Sequence, residues 1–144
     1  MKRRVVLDTG PLVALLNRHD RHHVWAKSRF GEIDPPLLTC EAVLVEAAHL
    51  LRVRAEGPPA VLALLERGTV TARFGLEAEA PRVRELLIRY ADRPMSLADA
   101  CLVRMAELHT GSAILTLDSD FEIYRMHGRR VIPTIRPDRV SGGS

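Results

Sequence analysis

Several features are scarce or missing in this sequence of 144 residues, and each absence removes a class of protein. No apolar run approaches the roughly 20 residues of a membrane-spanning helix, so we expect no transmembrane segment. The short apolar stretch after the basic N-terminus runs directly into Asp8, which is not the form of a signal peptide. We therefore expect a cytoplasmic protein.

Cysteines and glycine-rich motifs are also scarce. The two cysteines, Cys40 and Cys101, lie in or beside apolar segments, which favours buried, reduced thiols over a disulfide. His19, His22 and His23 cluster in a polar stretch without nearby cysteines, which favours a solvated loop over a zinc site. No glycine-rich phosphate-binding loop occurs, so we expect no nucleotide site of the P-loop or dinucleotide type.

The cations are almost all arginine, since only Lys2 and Lys27 are lysines among 21 Lys and Arg residues. A net charge of +3 permits nucleic-acid binding without showing it, and genome base composition explains the arginine usage equally well. Clusters of cations, which offer phosphate contacts, occur at Lys2-Arg3-Arg4, Arg18 and Arg21, Arg52 and Arg54, and Arg125, Arg129 and Arg130.

Hydrophobic patterning predicts strands that alternate with helices. Strands are expected over 4–8, 37–39, 70–74, 113–117 and 130–135, the last confined to a sheet edge by Pro133. Helices are expected over 10–17, 24–30, 39–54, 60–67, 76–91, 96–110 and 119–126, with Thr39 as an N-cap. This order predicts an α/β fold, a three-layer sandwich with a central, mainly parallel sheet flanked by helices. We expect one domain over residues 1–136 and a polar tail over 137–144.

Four carboxylates stand where acids are unfavourable unless something binds them. Asp8 and Asp118 each follow an apolar strand, at the sheet edge where parallel α/β folds bind ligands. Glu46 and Asp99 fall on the apolar stripes of two predicted helices. Burial of four unpaired acids together raises their pKa values by desolvation and repulsion, which a divalent cation relieves. The sequence therefore predicts a divalent-metal site and points to phosphodiester hydrolysis.

All-oxygen ligands favour Mg²⁺ or Mn²⁺ over zinc, and the sequence does not separate these two ions. Asp120, two residues after Asp118, is either a further acid of the site or a helper in the first helical turn. We place the main weight on Asp118. Thr9, Ser96 and Thr116 are candidates for supporting hydrogen bonds to the ligands.

Each acid also has a simpler explanation. Asp8 and Asp118 are suited to be helix N-caps. Asp99 follows Ser96 by three residues in the form of a capping box, a role that is compatible with metal binding. Glu46 would be an ordinary solvated side chain if the helix face is misjudged.

In this order the motifs resemble those of PIN-domain ribonucleases, and among them the VapC-type toxins of toxin–antitoxin systems. They are Asp8-Thr9 after the leading strand, Val-Leu-Val-Glu-Ala around Glu46, Ser-Leu-Ala-Asp-Ala-Cys-Leu around Asp99, and Leu-Thr-Leu-Asp-Ser-Asp-Phe around Asp118. The resemblance implies an endoribonuclease whose catalytic and metal-binding residues are Asp8, Glu46, Asp99 and Asp118, with Asp120 as an accessory metal-binding acid. It also implies an RNA substrate, a small antitoxin as partner and a homodimer.

Two other functions remain open. Asp8-Thr9-Gly10 has the form of the aspartic-protease signature, but those proteases are dominated by β-structure and this chain has many helix-period segments. A non-catalytic scaffold of the PIN fold that binds RNA or protein would keep the acids without using them.

Overall fold

The computed structural model of the chain describes residues 3–54 and 56–138. The helices α1 to α6 run over Thr9–Leu16, His23–Glu32, Glu41–Leu50, Gly57–Glu66, Leu76–Arg89 and Leu97–Leu108. The strands β1 to β7 run over Val5–Leu7, Leu37–Leu38, Val70–Thr71, Ala113–Leu115, Arg125–Met126, Arg130–Val131 and Thr134–Ile135, and a 3-10 helix covers Ser119–Glu122. The expected tail lies outside the described residues from residue 139 onward, as does Lys2 of the first basic cluster, and the domain boundary stays a prediction.

The central sheet has five strands in the order β3-β2-β1-β4-β7, and all its pairs are parallel. The strands β1 and β4 are apolar and buried at every position, as expected for strands covered on both faces. Leu7 of β1 pairs with Leu115 of β4. The residues that follow these two therefore leave the sheet side by side, which brings Asp8 next to Thr116.

The helices enclose the sheet. The helix α6, with eight buried residues, packs against β1 and β4, and α5 packs on α6. The helix α1 packs against α2, α3 and α4. Cys40 and Cys101 are both buried and both free, as predicted. No helix in the described part of the chain combines the length and hydrophobicity that crossing a membrane requires.

The start of α3 differs from the prediction. Cys40, not Thr39, takes the N-cap position of α3, and its side chain makes no capping hydrogen bond to the described residues. The hydroxyl of Thr39 donates instead to the carbonyl oxygen of Leu7 at 2.8 Å, because Thr39 is buried between β2 and β1. The helix ends at Leu50, four residues earlier than expected.

The helix predicted over 119–126 is wrong in its second half. After the 3-10 helix, β5 pairs antiparallel with β6 in a hairpin. The turn covers residues 127–129, in which His127 and Gly128 have φ values of +52° and +82°. The single strand expected over 130–135 is divided into β6 and β7, with Pro133 between them. The strand β7 lies at the edge of the central sheet, as Pro133 predicted.

Candidate active site

Asp8 follows β1 directly and is also the N-cap of α1. It is only 7% exposed. Its Oδ1 accepts a hydrogen bond from the backbone N–H of Thr9 at 2.7 Å, and its Oδ2 accepts one from the hydroxyl of Thr116 at 2.6 Å. Both donors are neutral, so neither hydrogen bond brings a cation to the buried carboxylate of Asp8.

A chain of hydrogen bonds continues from Thr116 along the loop after β4. The hydroxyl of Thr116 accepts from the backbone N–H of Asp118 at 2.9 Å. Oδ1 of Asp118 in turn accepts from the backbone N–H of Asp120 at 2.9 Å, so Asp118 caps the 3-10 helix. Thr116 thus ties the positions of Asp8 and Asp118 together.

Asp99 lies in the first turn of α6, where the predicted capping box with Ser96 is present. The backbone N–H of Asp99 donates to the hydroxyl of Ser96 at 3.0 Å, and Oδ2 of Asp99 accepts from the backbone N–H of Ser96 at 3.3 Å. The hydroxyl of Tyr124 donates to the same Oδ2 at 3.3 Å. Asp99 is half-buried and lines the same cleft as Asp8. Asp99 therefore both caps α6 and lines the candidate site.

The expectation that Glu46 lies on the buried face of α3 is wrong. Val43 and Ala47 face the core, whereas Glu46 and Leu50 are exposed. Glu46 and Leu50 are four residues apart and share a face next to the buried one. Both line the cleft that contains Asp8. The structure therefore places Glu46 at the rim of the site.

The four acids of the predicted metal-binding set line one cleft of about 710 Å³, although they come from four separate segments. The loop between α1 and α2 also lines this cleft, with Asp20, Arg21 and His22. The sequence pattern indicated only a solvated loop there. Its position depends on the packing of α2 against α1, for which the local sequence holds no signal.

The acids of the cleft are close enough to raise one another's pKa values. Burial, the largest cause, and the charges of Asp99 and Asp118 together raise the pKa of Asp8 to about 6, although the hydrogen bonds from Thr116 and Thr9 lower it in part. Burial also raises the pKa of Asp99, with added repulsion from Asp118. A cation in the cleft would relieve both effects.

Asp120 does not line the cleft in the described structure. Its Oδ1 lies 3.9 Å from Nη1 of Arg93, and both side chains are partly exposed. A pair of this kind contributes little free energy. Of the two neighbouring acids, the geometry brings Asp118 to the other carboxylates.

The donor atoms of the cleft suit a hard divalent ion, because carboxylate oxygens predominate. Oγ1 of Thr9, beside Asp8, is buried without a hydrogen-bond partner in the described part of the chain. A water or an ion bound in the cleft would give this atom the partner that it lacks. Within residues 3–54 and 56–138, no three His, Cys, Asp or Glu side chains are already arranged around one ion position. The fit is therefore one of chemistry and charge, not of a preformed coordination shell.

A larger groove of about 910 Å³ lies elsewhere on the molecule. It is lined by Arg3, Arg4 and Arg73 together with apolar side chains. Its acidic residues are Asp34 and Glu79, neither of which belongs to the predicted set. Cavity volume therefore does not identify the candidate active site. The convergence of four carboxylates on the smaller cleft does.

Glu107 on α6 is a buried acid that the sequence analysis missed. Arg82 donates to its two carboxylate oxygens at 2.9 and 2.7 Å, Arg104 donates at 3.2 Å, and the backbone N–H of His127 donates at 2.7 Å. Burial by itself raises the pKa of Glu107, but these hydrogen bonds and charges lower it to about 2. Glu107 thus ties α5, α6 and the β5–β6 hairpin together.

The family model of the PIN domain matches residues 5–125. The chain belongs to the PIN domain family. The predicted family and the predicted parallel α/β fold are both confirmed. PIN-domain nucleases generally use divalent metal ions, which agrees with the acidic lining of the cleft.

The structure of this PIN domain is similar to the crystal structure of VapC20 from Mycobacterium tuberculosis, a toxin that cleaves the sarcin-ricin loop. The two have a TM-score of 0.74 and 25% sequence identity, over 88% of this chain and 98% of that chain. No curated protein matches this sequence.

Proposed function

We propose that this PIN domain is the toxin of a toxin–antitoxin pair and hydrolyses RNA phosphodiester bonds with the help of a divalent metal ion. Its assignment as an endoribonuclease of the VapC type rests on family membership and on the likeness to VapC20. One observation carries the assignment of the site. Asp8, Asp99 and Asp118 converge on one cleft, and among the described residues the buried carboxylate of Asp8 accepts hydrogen bonds only from neutral donors.

The residues that would hold the ion are Asp8, Glu46, Asp99 and Asp118, with Asp120 as an accessory acid. Mg²⁺ or Mn²⁺ would supply a water of lowered pKa and neutralise charge on the leaving oxygen. The carboxylate of Asp8 is held at both oxygens before any substrate binds. This restraint fixes the direction in which its remaining lone pairs point.

Phosphate contacts fall to Arg21 and His22 at the edge of the cleft. Arg21 is exposed and His22 is half-buried, and both line the cleft. A cleft of carboxylates alone would repel an RNA backbone. Arg21 and His22 are therefore expected to bind the phosphates that flank the scissile bond.

The substrate and the partners follow from the same likeness. VapC toxins act on RNA and pair with antitoxins. We choose the sarcin-ricin loop as the first substrate to test, since VapC20 cleaves it and is alike over 98% of its length. A small antitoxin, a homodimer and a cytoplasmic location complete the proposal.

Cleavage of ribosomal RNA by the purified protein tests this proposal. We expect cleavage with Mg²⁺ or Mn²⁺ and none with chelator. The cleavage rates of the Asp8→Asn and Asp118→Asn variants should each fall about 100-fold or more. This loss exceeds the one that is usual for residues that only support a metal ligand. Asp92→Asn is the matched control, because it makes the same change at an exposed acid outside the cleft, and its cleavage rate should fall less than about threefold.

A different outcome would favour the scaffold. If the protein bound RNA without cleaving it, whichever ion was supplied, the non-catalytic PIN scaffold would replace the nuclease as the best description. If Asp120→Asn rather than Asp118→Asn abolished cleavage, the fourth acid would be assigned wrongly.

A further inference from the structure

Tyr124 approaches the candidate site from inside the protein. It lies between the 3-10 helix and β5, is 0% exposed, and does not line the cleft. Its hydroxyl donates to Oδ2 of Asp99 at 3.3 Å. A buried tyrosine hydroxyl needs a partner, and here that partner is one of the acids of the proposed metal site.

The ring of Tyr124 is held by two other aromatic rings. Its centroid is 5.0 Å from that of Tyr90 and 5.4 Å from that of Phe121, and both pairs are edge-to-face. The hydroxyl of Tyr90 is used elsewhere, because it accepts from the backbone N–H of Arg125 at 2.9 Å. Ring packing therefore fixes the position from which the Tyr124 hydroxyl reaches Asp99.

The two hydrogen bonds to the Asp99 side chain meet at one oxygen. Oδ2 accepts from both the Tyr124 hydroxyl and the Ser96 backbone N–H, each at 3.3 Å. Oδ1 takes part in neither bond. With Oδ2 held on the protein side, the carboxylate has one oxygen to offer to the cleft that Asp99 lines.

We propose that Tyr124 is a positioning residue that orients the carboxylate of Asp99 so that Oδ1 serves the divalent ion. This inference rests on the proposed function, because it requires an ion in the cleft. Tyr124 itself contacts neither the ion nor the RNA. At 3.3 Å the bond from Tyr124 is longer than the usual O–H···O distance, so it can shorten as the carboxylate settles on an ion.

The test is Mn²⁺ binding to the whole purified protein, followed by the relaxation of water protons. Tyr124→Phe removes the hydroxyl and keeps the ring. It should weaken Mn²⁺ binding roughly tenfold, the lower end of the range for partners that orient metal ligands. RNA cleavage by this variant should need correspondingly more Mn²⁺ and approach the wild-type rate at saturation, a pattern that a purely structural role would not produce.

Tyr90→Phe is the matched control. It removes a hydroxyl from the same aromatic cluster, but from a ring bonded to Arg125 instead of Asp99. Its affinity for Mn²⁺ should change less than about twofold. Phe121→Leu is a second variant, which loosens the packing around Tyr124 without removing the hydroxyl and should weaken Mn²⁺ binding to a smaller extent than Tyr124→Phe.

The outcomes separate this inference from the proposed function. If Asp99→Asn lost Mn²⁺ binding while Tyr124→Phe and Phe121→Leu bound Mn²⁺ like the wild type, the role of Tyr124 would be wrong and the metal site would stand. If the wild-type protein bound no Mn²⁺, both the role of Tyr124 and the metal site would be wrong. Should Tyr124→Phe fail to fold, unchanged Mn²⁺ affinity in a folded Phe121→Leu protein would overturn the inference.

Discussion

Asp8 and Glu107 are buried to the same degree, at 7% and 6% exposed, but their surroundings are opposite. Glu107 accepts hydrogen bonds from Arg82 and Arg104, which bring two positive charges to it. Within the described residues, Asp8 accepts hydrogen bonds only from a backbone N–H and a hydroxyl, and the charges of Asp99 and Asp118 repel its charge. Arginines of the protein thus balance the charge of Glu107, whereas neither hydrogen-bond donor of Asp8 balances its charge.

The pKa values follow this difference. Arginine partners lower the pKa of Glu107 to about 2 although burial opposes them, whereas burial and repulsion raise the pKa of Asp8 to about 6. Burial alone therefore does not distinguish a structural acid from a functional one. A buried acid that the protein leaves without a cation identifies the place where a cation from solution is expected.

The largest expected effect is the loss of stability caused by changing Glu107. Glu107→Gln leaves Arg82 and Arg104 without their buried counter-charge, which should lower the free energy of unfolding by about 3 kcal/mol. Chemical denaturation of the folded variant measures this. Glu85→Gln is the control, because Glu85 also faces Arg82, at 3.7 Å, but is 65% exposed. It should cost less than about 1 kcal/mol. Equal losses in both variants would contradict the structural role of Glu107.

The next expected effect is that Asp8 and Glu107 contribute to the stability of the metal-free protein with opposite pH dependence. The raised pKa of Asp8, about 6 against 3.8, means that stability present below pH 3.8 is lost as pH rises through 6, by about 3 kcal/mol. The lowered pKa of Glu107, about 2 against 4.5, means that stability present above pH 4.5 is lost as pH falls through 2, by about 3 kcal/mol.

Unfolding measured in chelator from pH 2 to pH 7 separates the two acids. Asp8→Asn should remove the loss between about pH 4 and pH 6, and Glu107→Gln should remove the loss at the acid end. If Asp8→Asn left the pH profile of the wild-type protein unchanged, Asp8 would not be an uncompensated acid.

Thr116→Val gives a smaller effect and tests how Asp8 is held. It removes the 2.6 Å hydrogen bond to Oδ2 of Asp8 with little change in volume, and we expect roughly tenfold weaker RNA cleavage. Thr39→Val is the control, since Thr39 is also buried but its hydroxyl bonds to the backbone of Leu7. Its cleavage rate should stay within about twofold of the wild type. An equal loss in both variants would indicate general destabilisation.

The sequence predicted the parts of the site that depend on sheet geometry. Asp8 and Asp118 follow buried strands, and parallel pairing of β1 with β4 brings them to one edge, as expected. Asp99 was identified by its helical face and by its spacing from Ser96, and the capping box is present.

The misjudged acids lie on helices, where a single step around the axis changes burial completely. The criterion that selected Glu46, an acid on an apolar stripe, applies equally to Glu107, which follows Ala106 on α6. Glu46 is exposed, whereas Glu107 is buried with Arg104 from the same helix and Arg82 from α5 as partners. The contact with Arg82 is set by tertiary packing and leaves no mark in the local sequence pattern.

The β5–β6 hairpin was missed for a local reason. Three residues, 127–129, connect the paired Met126 and Arg130, and two of them, His127 and Gly128, have positive φ values. Asn-Gly or Asp-Gly is the usual short-range signal for a hairpin, and His-Gly is a weak one. Its position is instead supported by the hydrogen bond from the His127 backbone N–H to Glu107.

The most direct test of whether Asp8 binds a cation is the thermal midpoint of the Asp8→Asn variant at pH 7, measured with and without Mn²⁺. In chelator, Asp8→Asn should melt above the wild type because it removes an uncompensated buried charge. In Mn²⁺, the wild type should gain stability by ion binding and Asp8→Asn should gain little. Two results together would contradict the account: Mn²⁺ leaves the thermal midpoint of the wild type unchanged, and Asp8→Asn melts below the wild type in chelator.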